Sequence, residues 1–144
     1  MKRAFLVAVV SLVVAVGLSG CPGVACFGID SCQIQGKWKT TIVDLLGFSR
    51  DIFLTFQDGE FLYEGPTYLT DGGFLYNGDT GTYTVKAGER PRQLDITVVR
   101  GDGTKTWLGI YEVSAGMLQI QLGTDTLRPD ALTLQDSWTL TPVN

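Results

Sequence analysis

Acid–base catalysis is the first chemistry to consider, and the side chains for it are few. Histidine, the commonest general base, is absent from the 144 residues. A triad of serine, histidine and aspartate, or a cysteine–histidine pair, therefore cannot be built. Asp95 and Glu112 offer carboxylates, but both fall in predicted strands whose alternation assigns them to the outer face. We expect a protein that is not an enzyme and has no catalytic residues.

A second candidate chemistry is cation binding by the oxygen-rich segment 71–79. Asp71-Gly72-Gly73 and Asn77-Gly78-Asp79 supply suitable ligands, but the segment lacks the aspartate spacing and distal glutamate of an EF-hand. Asn-Gly and Asp-Gly pairs are also typical of tight turns with positive φ. Turn formation explains the same residues with fewer assumptions, so we expect neither a metal nor a cofactor.

The first twenty residues have the order of an export signal. Lys2 and Arg3 precede an uncharged apolar run from Ala4 to Val16, and small residues follow at positions 17, 19 and 20. The apolar run is shorter than the roughly 20 residues that a membrane-spanning helix needs. Residues 1–20 are therefore predicted to be a removable signal peptide.

The end of this segment, Leu18-Ser19-Gly20-Cys21, resembles the lipobox of bacterial lipoproteins. The resemblance implies cleavage before Cys21, a diacylglyceryl thioether on its sulfur and a further acyl group on the new amino terminus. Two or three acyl chains would anchor the protein stably in a membrane. Pro22 stands where lipoproteins of an inner membrane often carry Asp, so the resemblance points to the cell envelope and, in a two-membrane bacterium, to the outer membrane.

Lipidation of Cys21 would leave two other cysteines, Cys26 and Cys32, in an exported chain. Disulfides persist in such compartments, so we expect the two to pair. A metal site is the weaker alternative, because two thiols without histidine fall short of the usual four zinc ligands. Residues 21–35, which lack any sustained period, are predicted to be a tether.

The charge of the chain argues against one class of partner. The formal net charge is −4, and it becomes −6 without residues 1–20, which hold two cations and no acid. An acidic domain repels phosphate backbones, so we expect no nucleic acid partner.

Residues 36–144 consist of short alternating runs separated by Gly, Asp and Asn. Period-two alternation with punctuation such as Asp58-Gly59 predicts antiparallel hairpins. About eight strands, no long helix and short connections favour a single all-β domain, an up-and-down β-barrel, over a sandwich. A duplicated pattern, Phe61–Gly65 and Phe74–Gly78, predicts two strand segments around the loop at Pro66, the second being a short edge strand.

An apolar cluster lies between the first two predicted strands, in the segment 43–49. Leu45, Leu46 and Phe48 would form a lid over a cavity, insert into a membrane surface or close one end of the core. Closure of the core is the expected outcome, since large exposed apolar patches are rare on soluble domains.

The motif Gly36-Lys37-Trp38 is similar to the Gly-x-Trp signature of lipocalins. The wider succession resembles a small lipocalin-like bacterial family, abundant in planctomycetes and largely uncharacterised. The motifs that carry this resemblance are Gly81-Thr82-Tyr83, the run from Pro91 to Thr97, Gly109–Val113, Leu118-Gln119-Ile120 and Arg128-Pro129. The resemblance implies an arginine stacked over the tryptophan, and Arg128 is the nearest candidate. The alternative for Arg128 is an exposed cation on the turn at Pro129.

The predicted interior follows from Trp38 and the alternation. Its members are Trp38, Ile42, Leu54, Phe56, Phe61, Tyr83, Leu94, Ile96, Val98, Ile110, Leu118, Ile120, Trp138 and Leu140. An eight-stranded barrel is filled by such side chains or holds one small ligand. The predicted contacts of a small apolar ligand are Trp38, Phe56, Tyr83, Ile110 and Trp138.

Two functions remain in view for the predicted domain. The first is a membrane-anchored lipocalin-like barrel that binds a small apolar molecule, which rests on analogy of fold. The second is a protein-interaction module with a filled core, such as an envelope inhibitor or assembly factor. Exposure of Leu45, Leu46 and Phe48, or of Tyr68 and Phe74, would favour the second.

Overall fold

The computed structural model describes residues 33–43, 46–86 and 88–144. The described part of the chain forms ten β-strands. They are β1 (Gly36–Val43), β2 (Ser49–Gln57), β3 (Glu60–Glu64), β4 (Tyr68–Thr70), β5 (Gly73–Leu75), β6 (Thr80–Lys86), β7 (Arg92–Arg100), β8 (Gly103–Ser114), β9 (Met117–Leu122) and β10 (Trp138–Pro142). No helix of these residues is long and apolar enough to cross a membrane.

Eight of these strands close into one antiparallel barrel in the order β1-β10-β9-β8-β7-β6-β3-β2. Barrel strands that follow one another along the chain are neighbours around the barrel. The barrel is closed by the pairing of β1 with β10, in which Trp38 lies opposite Pro142. The prediction of an up-and-down barrel of about eight strands is confirmed. Strands β4 and β5 form a separate two-stranded hairpin inserted between β3 and β6.

Two-residue turns set the register of two long hairpins. Asp58 and Gly59 link β2 to β3 with φ of 53° and 87°, and Ala115 and Gly116 link β8 to β9 with φ of 50° and 75°. Two consecutive positive φ values match the right-handed twist of the flanking strands. The Asp-Gly pair is thus the turn that the sequence predicts.

The barrel has two ends, which hold different connections. The N-terminal end has the start of β1, the turns at Asp58-Gly59 and Ala115-Gly116, the connection 87–91 and the end of β10. The hairpin end has the β1–β2 turn, the connection 65–79 with β4 and β5, the turn 101–102 and the long connection 123–137. Because successive barrel strands run antiparallel, the connections lie alternately at the two ends.

Large side chains from the strands fill the barrel. Phe56 contacts Phe61 and Tyr83 with ring centroids 5.5 and 5.1 Å apart, and all three are buried. The predicted interior is largely correct, although it omits Tyr63, Trp107, Tyr111 and other members of the core. Burial of a single large apolar side chain contributes about 1.5–3 kcal/mol, so this core is the main source of stability.

Ile110 is wrongly placed in the predicted interior. It pairs with Gln93 and Gln121, whereas its neighbours Gly109 and Tyr111 pair with the core residues Leu122 and Ile120. Ile110 therefore points to the outer face. It is nevertheless wholly buried, because the connection 123–137 passes over this face of the barrel.

The N-terminal end is closed by the chain as it enters β1. Ile34 is wholly buried, and Trp38 donates a hydrogen bond from Nε1 to the Ile34 carbonyl oxygen at 2.7 Å. Arg92 donates to the side chain of Gln33 at 3.2 Å. These contacts leave the tryptophan packed in the core at the N-terminal end of the barrel.

Candidate functional site at the hairpin end

The β4–β5 hairpin covers the hairpin end of the barrel and is bound to it by side chains. Trp107 in β8 donates a hydrogen bond from Nε1 to Thr70 Oγ1 at 2.8 Å. Leu75 in β5 is wholly buried in the core, and Tyr68 in β4 meets Trp138 edge to face at 5.0 Å. The hairpin is therefore a cap over the barrel mouth.

The cap approaches the barrel closely at Gly72. A Cβ at this position would lie 2.6 Å from Trp107 Cδ1 and 2.7 Å from the Gly123 carbonyl oxygen. Both distances are shorter than any real Cβ contact, so a side chain here would force the hairpin away from the barrel. The glycine is needed for this close approach rather than for a positive φ.

An ion pair fixes the return of the chain from the cap into β6. Arg100 at the end of β7 contacts Asp79 Oδ2 at 2.5 Å, and its Nε donates to Oδ1 at 2.9 Å. The guanidinium also donates to the Phe74 carbonyl oxygen and lies 4.7 Å from the ring centroid of Tyr76. This bidentate arrangement is the strong form of an arginine–carboxylate pair.

Burial and hydrogen bonding act in opposite directions on Asp79. Burial by itself would raise its pKa, since the side chain is only 8% exposed, but the hydrogen bonds from Arg100 and the Tyr76 backbone N–H outweigh this effect. The pKa of Asp79 is therefore lowered. The same hydrogen bond to Asp79 raises the pKa of Arg100. The pair stays ionised across the neutral range.

Tyr63 has a structural role beneath the cap. Its hydroxyl donates to the Pro66 carbonyl oxygen at 2.6 Å, and its ring is wholly buried. Burial raises the pKa of Tyr63, and burial likewise raises that of Tyr83. Both phenols are therefore neutral hydrogen-bonding groups, not bases.

The duplicated sequence pattern takes two opposite orientations. In the first copy Phe61 and Tyr63 point into the barrel, whereas in the second copy Phe74 and Tyr76 are exposed and Leu75 is buried. A strand that is shifted by one residue turns every side chain to the other face. The prediction of a second, short strand is confirmed as β5, and its two aromatic rings lie on the surface 6.2 Å apart.

The segment between β1 and β2 is also apolar and exposed. Leu46 is 81% exposed and Phe48 58% exposed, so the expectation that they close the core is wrong for these two residues. Leu45 lies outside the described residues. The β4–β5 cap, and not this segment, covers the barrel mouth.

Most of the exposed large apolar side chains in the described part of the chain gather at the hairpin end. Besides the aromatic residues of β5 and the β1–β2 turn, they include Leu69 of the cap and Leu127 and Leu134 of the connection 123–137. Tyr68, by contrast, is half-buried against Trp138. We call Leu46, Phe48, Leu69, Phe74 and Tyr76 the apolar rim.

Arg128 does not stack on Trp38, and this expectation is wrong. Its Nη2 lies 2.5 Å from Asp95 Oδ1, and its Nη1 donates to the Gly109 carbonyl oxygen on the outer face. The arginine therefore holds the connection 123–137 against β7 and β8. The arginine that does approach a tryptophan is Arg100, 5.7 Å from the ring centroid of Trp107.

The predicted ligand contacts do not line one cavity. Trp38, Phe56 and Tyr83 pack in the core, Ile110 lies on the outer face, and Trp138 stands at the barrel mouth. The cavity at the mouth measures about 120 Å³ and lies between the cap and strands β9 and β10. Of the five predicted residues, Trp138 alone borders it.

Two of the acidic residues considered in the sequence, Asp79 and Asp95, have structural partners. Asp79 is bound by Arg100 and Asp95 by Arg128, while Glu112 is exposed on the outer face. Within residues 33–43, 46–86 and 88–144, no three histidine, cysteine or acidic side chains come together as a metal site. Cys21, Cys26, Cys32 and the signal sequence lie outside the described residues.

The sequence reasoning missed the residues that attach the cap. Thr70, Asp79, Arg100 and Trp107 come from separate segments, and none belongs to a recognisable motif. One signal was present: Arg100 stands between an alternating run and the break Gly101-Asp102-Gly103, and the end of a strand at this point brings a long cation to the end of the barrel.

The fold and its hairpin end define a closed eight-stranded up-and-down β-barrel with a capping hairpin, consistent with a lipocalin-like architecture. Comparison of the chain with protein-family models, with curated proteins and with solved structures finds no match in any of the three.

Proposed function

We propose that this protein is an exported, lipid-anchored interaction module, without enzymatic activity, whose hairpin end binds a partner protein. The observation that carries the proposal is the apolar rim. Its side chains are exposed at one end of a barrel whose core is already filled. Exposed apolar side chains gathered in one region are typical of protein interaction surfaces.

The charges around the apolar rim indicate the chemistry of the partner. Asp71, Asp102, Asp125, Asp130 and Asp136 are all exposed on the connections of the hairpin end. Arg128, the one cation in the described parts of those connections, is paired with Asp95. A partner with an apolar patch bordered by lysine or arginine is complementary to this surface. An anionic lipid surface is not, because like charges repel.

A lipid on Cys21 would fit this orientation. β1 begins at the N-terminal end, so the anchor would join the barrel at the end opposite the apolar rim. The thirteen residues from Cys21 to Gln33 would reach at most about 45 Å when fully extended. On this proposal the apolar rim lies at the end of the barrel that is distal from the anchor, where a partner protein can reach it.

A small apolar ligand inside the barrel is less well supported. Phe56, Phe61, Tyr83 and Trp107 occupy the interior, and the cap closes the mouth. The cavity of about 120 Å³ at the mouth is well below the roughly 300–1,000 Å³ of usual ligand pockets. A lipid-sized ligand would therefore require displacement of the cap.

Site-specific photo-crosslinking in intact cells of the native host tests the proposal. A photoreactive phenylalanine analogue is placed at Phe48 or Phe74 in the apolar rim, and at Glu89 near the N-terminal end as the matched control. We expect one protein to be captured from both rim positions and not from Glu89. The purified partner should then bind with an affinity that falls as salt is added.

A double variant supplies the second arm of this test. Leu46→Ser with Phe48→Ser should abolish capture from Phe74 while changing the free energy of unfolding by less than about 0.5 kcal/mol, as is usual for surface positions. Equal capture from Glu89, or crosslinks to lipid in place of protein, would overturn the proposal.

A further inference from the structure

The cavity at the barrel mouth has a composition unlike that of the core below it. It is bordered by Tyr68 and Asp71 of the cap, by Leu122 of β9, by Asp136 at the end of the connection 123–137 and by Trp138 at the start of β10. Its volume of about 120 Å³ corresponds to roughly four water molecules of the liquid. This is the scale of one long side chain rather than of a cofactor or a lipid.

The charges of the cavity select for a cation. Asp71 and Asp136 come from two different connections, and its nine lining residues include no lysine or arginine. Of the cations near the cap, Arg100 and Arg128 are paired with Asp79 and Asp95, and Lys105 lies beside Gly73 rather than among the residues that line the cavity. An anion would be repelled here, and a wholly apolar group would remove water from the carboxylates without replacing their hydrogen bonds.

The aromatic side chains of the cavity favour the same class of ligand. Tyr68 and Trp138 meet at 5.0 Å with their planes 71° apart, so the two rings form a corner rather than a parallel stack. The face of an aromatic ring attracts a cation, and tryptophan does so most strongly. The apolar contacts of Leu122 and Ile120 suit the methylene stem that carries such a charge.

We propose that this cavity receives the cationic side chain, lysine or arginine, of the partner that docks on the apolar rim. This inference rests on the proposed function and sharpens it, since it identifies a central anchor within the docking surface. The ammonium or guanidinium group lies between Asp71 and Asp136 beside the rings of Tyr68 and Trp138, and the stem packs on Leu122 and Ile120. A buried cationic anchor beside aromatic residues is a common type of interface hot spot.

Small probes test the chemistry of the cavity without any partner. The full-length protein, purified in mild detergent, is titrated with N-acetyl-lysine-N-methylamide and with its uncharged norleucine analogue while the indole signal of Trp138 is followed by NMR. We expect saturable binding of the lysine probe and at least tenfold weaker binding of norleucine. Equal binding of the two probes, or no saturable shift, would overturn the inference.

Matched variants locate the binding. Asp71→Asn and Asp136→Asn should each weaken the lysine probe by about tenfold, whereas Asp125→Asn, on the same connection as Asp136 but outside the cavity, should not. Because Asp136 also accepts a hydrogen bond from Thr133 at 2.9 Å, the variant's spectrum away from the cavity must be unchanged. If both variants retain full affinity, the cavity is not the site.

The source of the cation is tested by crosslinking. In the double variant Asp71→Asn with Asp136→Asn, capture of the partner from Phe74 should fall at least fivefold, and mutation of one lysine or arginine of the partner should have the same effect. Unchanged capture would overturn the anchor while leaving the apolar rim intact. Failure of capture by the unaltered protein would instead overturn the proposed function, and the probe titration would still report on the cavity.

Discussion

At the N-terminal end of the barrel, the same side chains close the barrel and pack in its core. Ile34 and Trp38 are both buried there, and little apolar surface is exposed. The hairpin end differs in how it is closed and in what it exposes. There Arg100, Asp79 and Thr70 make polar contacts that hold the cap to the barrel, while the apolar rim is exposed. A barrel that only needed to close this end would place apolar side chains inward. We interpret this difference through the proposed function, in which the apolar rim binds a partner protein.

The largest expected effect is at the N-terminal end. Trp38→Ala removes a side chain that is 6% exposed together with its hydrogen bond to Ile34, and should lower the free energy of unfolding by about 3–5 kcal/mol. Phe48→Ala is the matched control from the apolar rim and should change it by less than about 0.5 kcal/mol. Urea unfolding followed by circular dichroism measures both. Similar losses would contradict the contrast between the ends.

The next effect concerns the ion pair that holds the cap. Arg100→Leu leaves the buried carboxylate of Asp79 without its cation and should cost about 2–3 kcal/mol. Hydrogen exchange should show loss of protection first in β4 and β5, with the N-terminal end unaffected. Adding Asp79→Asn to Arg100→Leu should recover part of the loss, because no buried charge then remains. Uniform loss of protection over the barrel would show that the cap is not a separate unit.

A smaller effect is expected from Gly72→Ala, which places a methyl group against Trp107. Overpacking of this kind costs about 1–3 kcal/mol, and here it should also lengthen the hydrogen bond between Trp107 and Thr70. Gly101→Ala, in a turn at the same end with open space around it, is the control and should be nearly neutral. Thermal unfolding and the indole N–H chemical shift of Trp107 report the two effects.

The smallest effect is a dependence on pH. Because the pKa of Asp79 is lower in the folded protein, its ion pair contributes full stability above the pKa of an unfolded aspartate, about 3.9. That contribution is lost as the pH falls through the folded value. Protection of β4 and β5 should therefore weaken below about pH 4 before the barrel unfolds. The step should be absent from the variant Asp79→Asn with Arg100→Leu, and its persistence there would assign it to another group.

Much of the fold was predictable because its determinants are local. Alternation in β2 and β7, and Asp58-Gly59 between β2 and β3, depend on residues that are close in sequence. The candidate site was less predictable. Exposure of Leu46, Phe48 and Phe74 was recognised as the feature that would favour an interaction module, but the alternation by itself did not indicate which of them would be exposed.

The sequence by itself determined an acidic chain without histidine, a succession of short strands and the turns that join them, because periodicity and turn chemistry act over a few residues. Only the tertiary structure decided which face each copy of the duplicated pattern turns inward, that Ile110 points outward, and that Arg128 binds Asp95 rather than stacking on Trp38. Those outcomes depend on the register of an inserted hairpin and on the path of the connection 123–137, which are set by contacts between residues far apart in the chain.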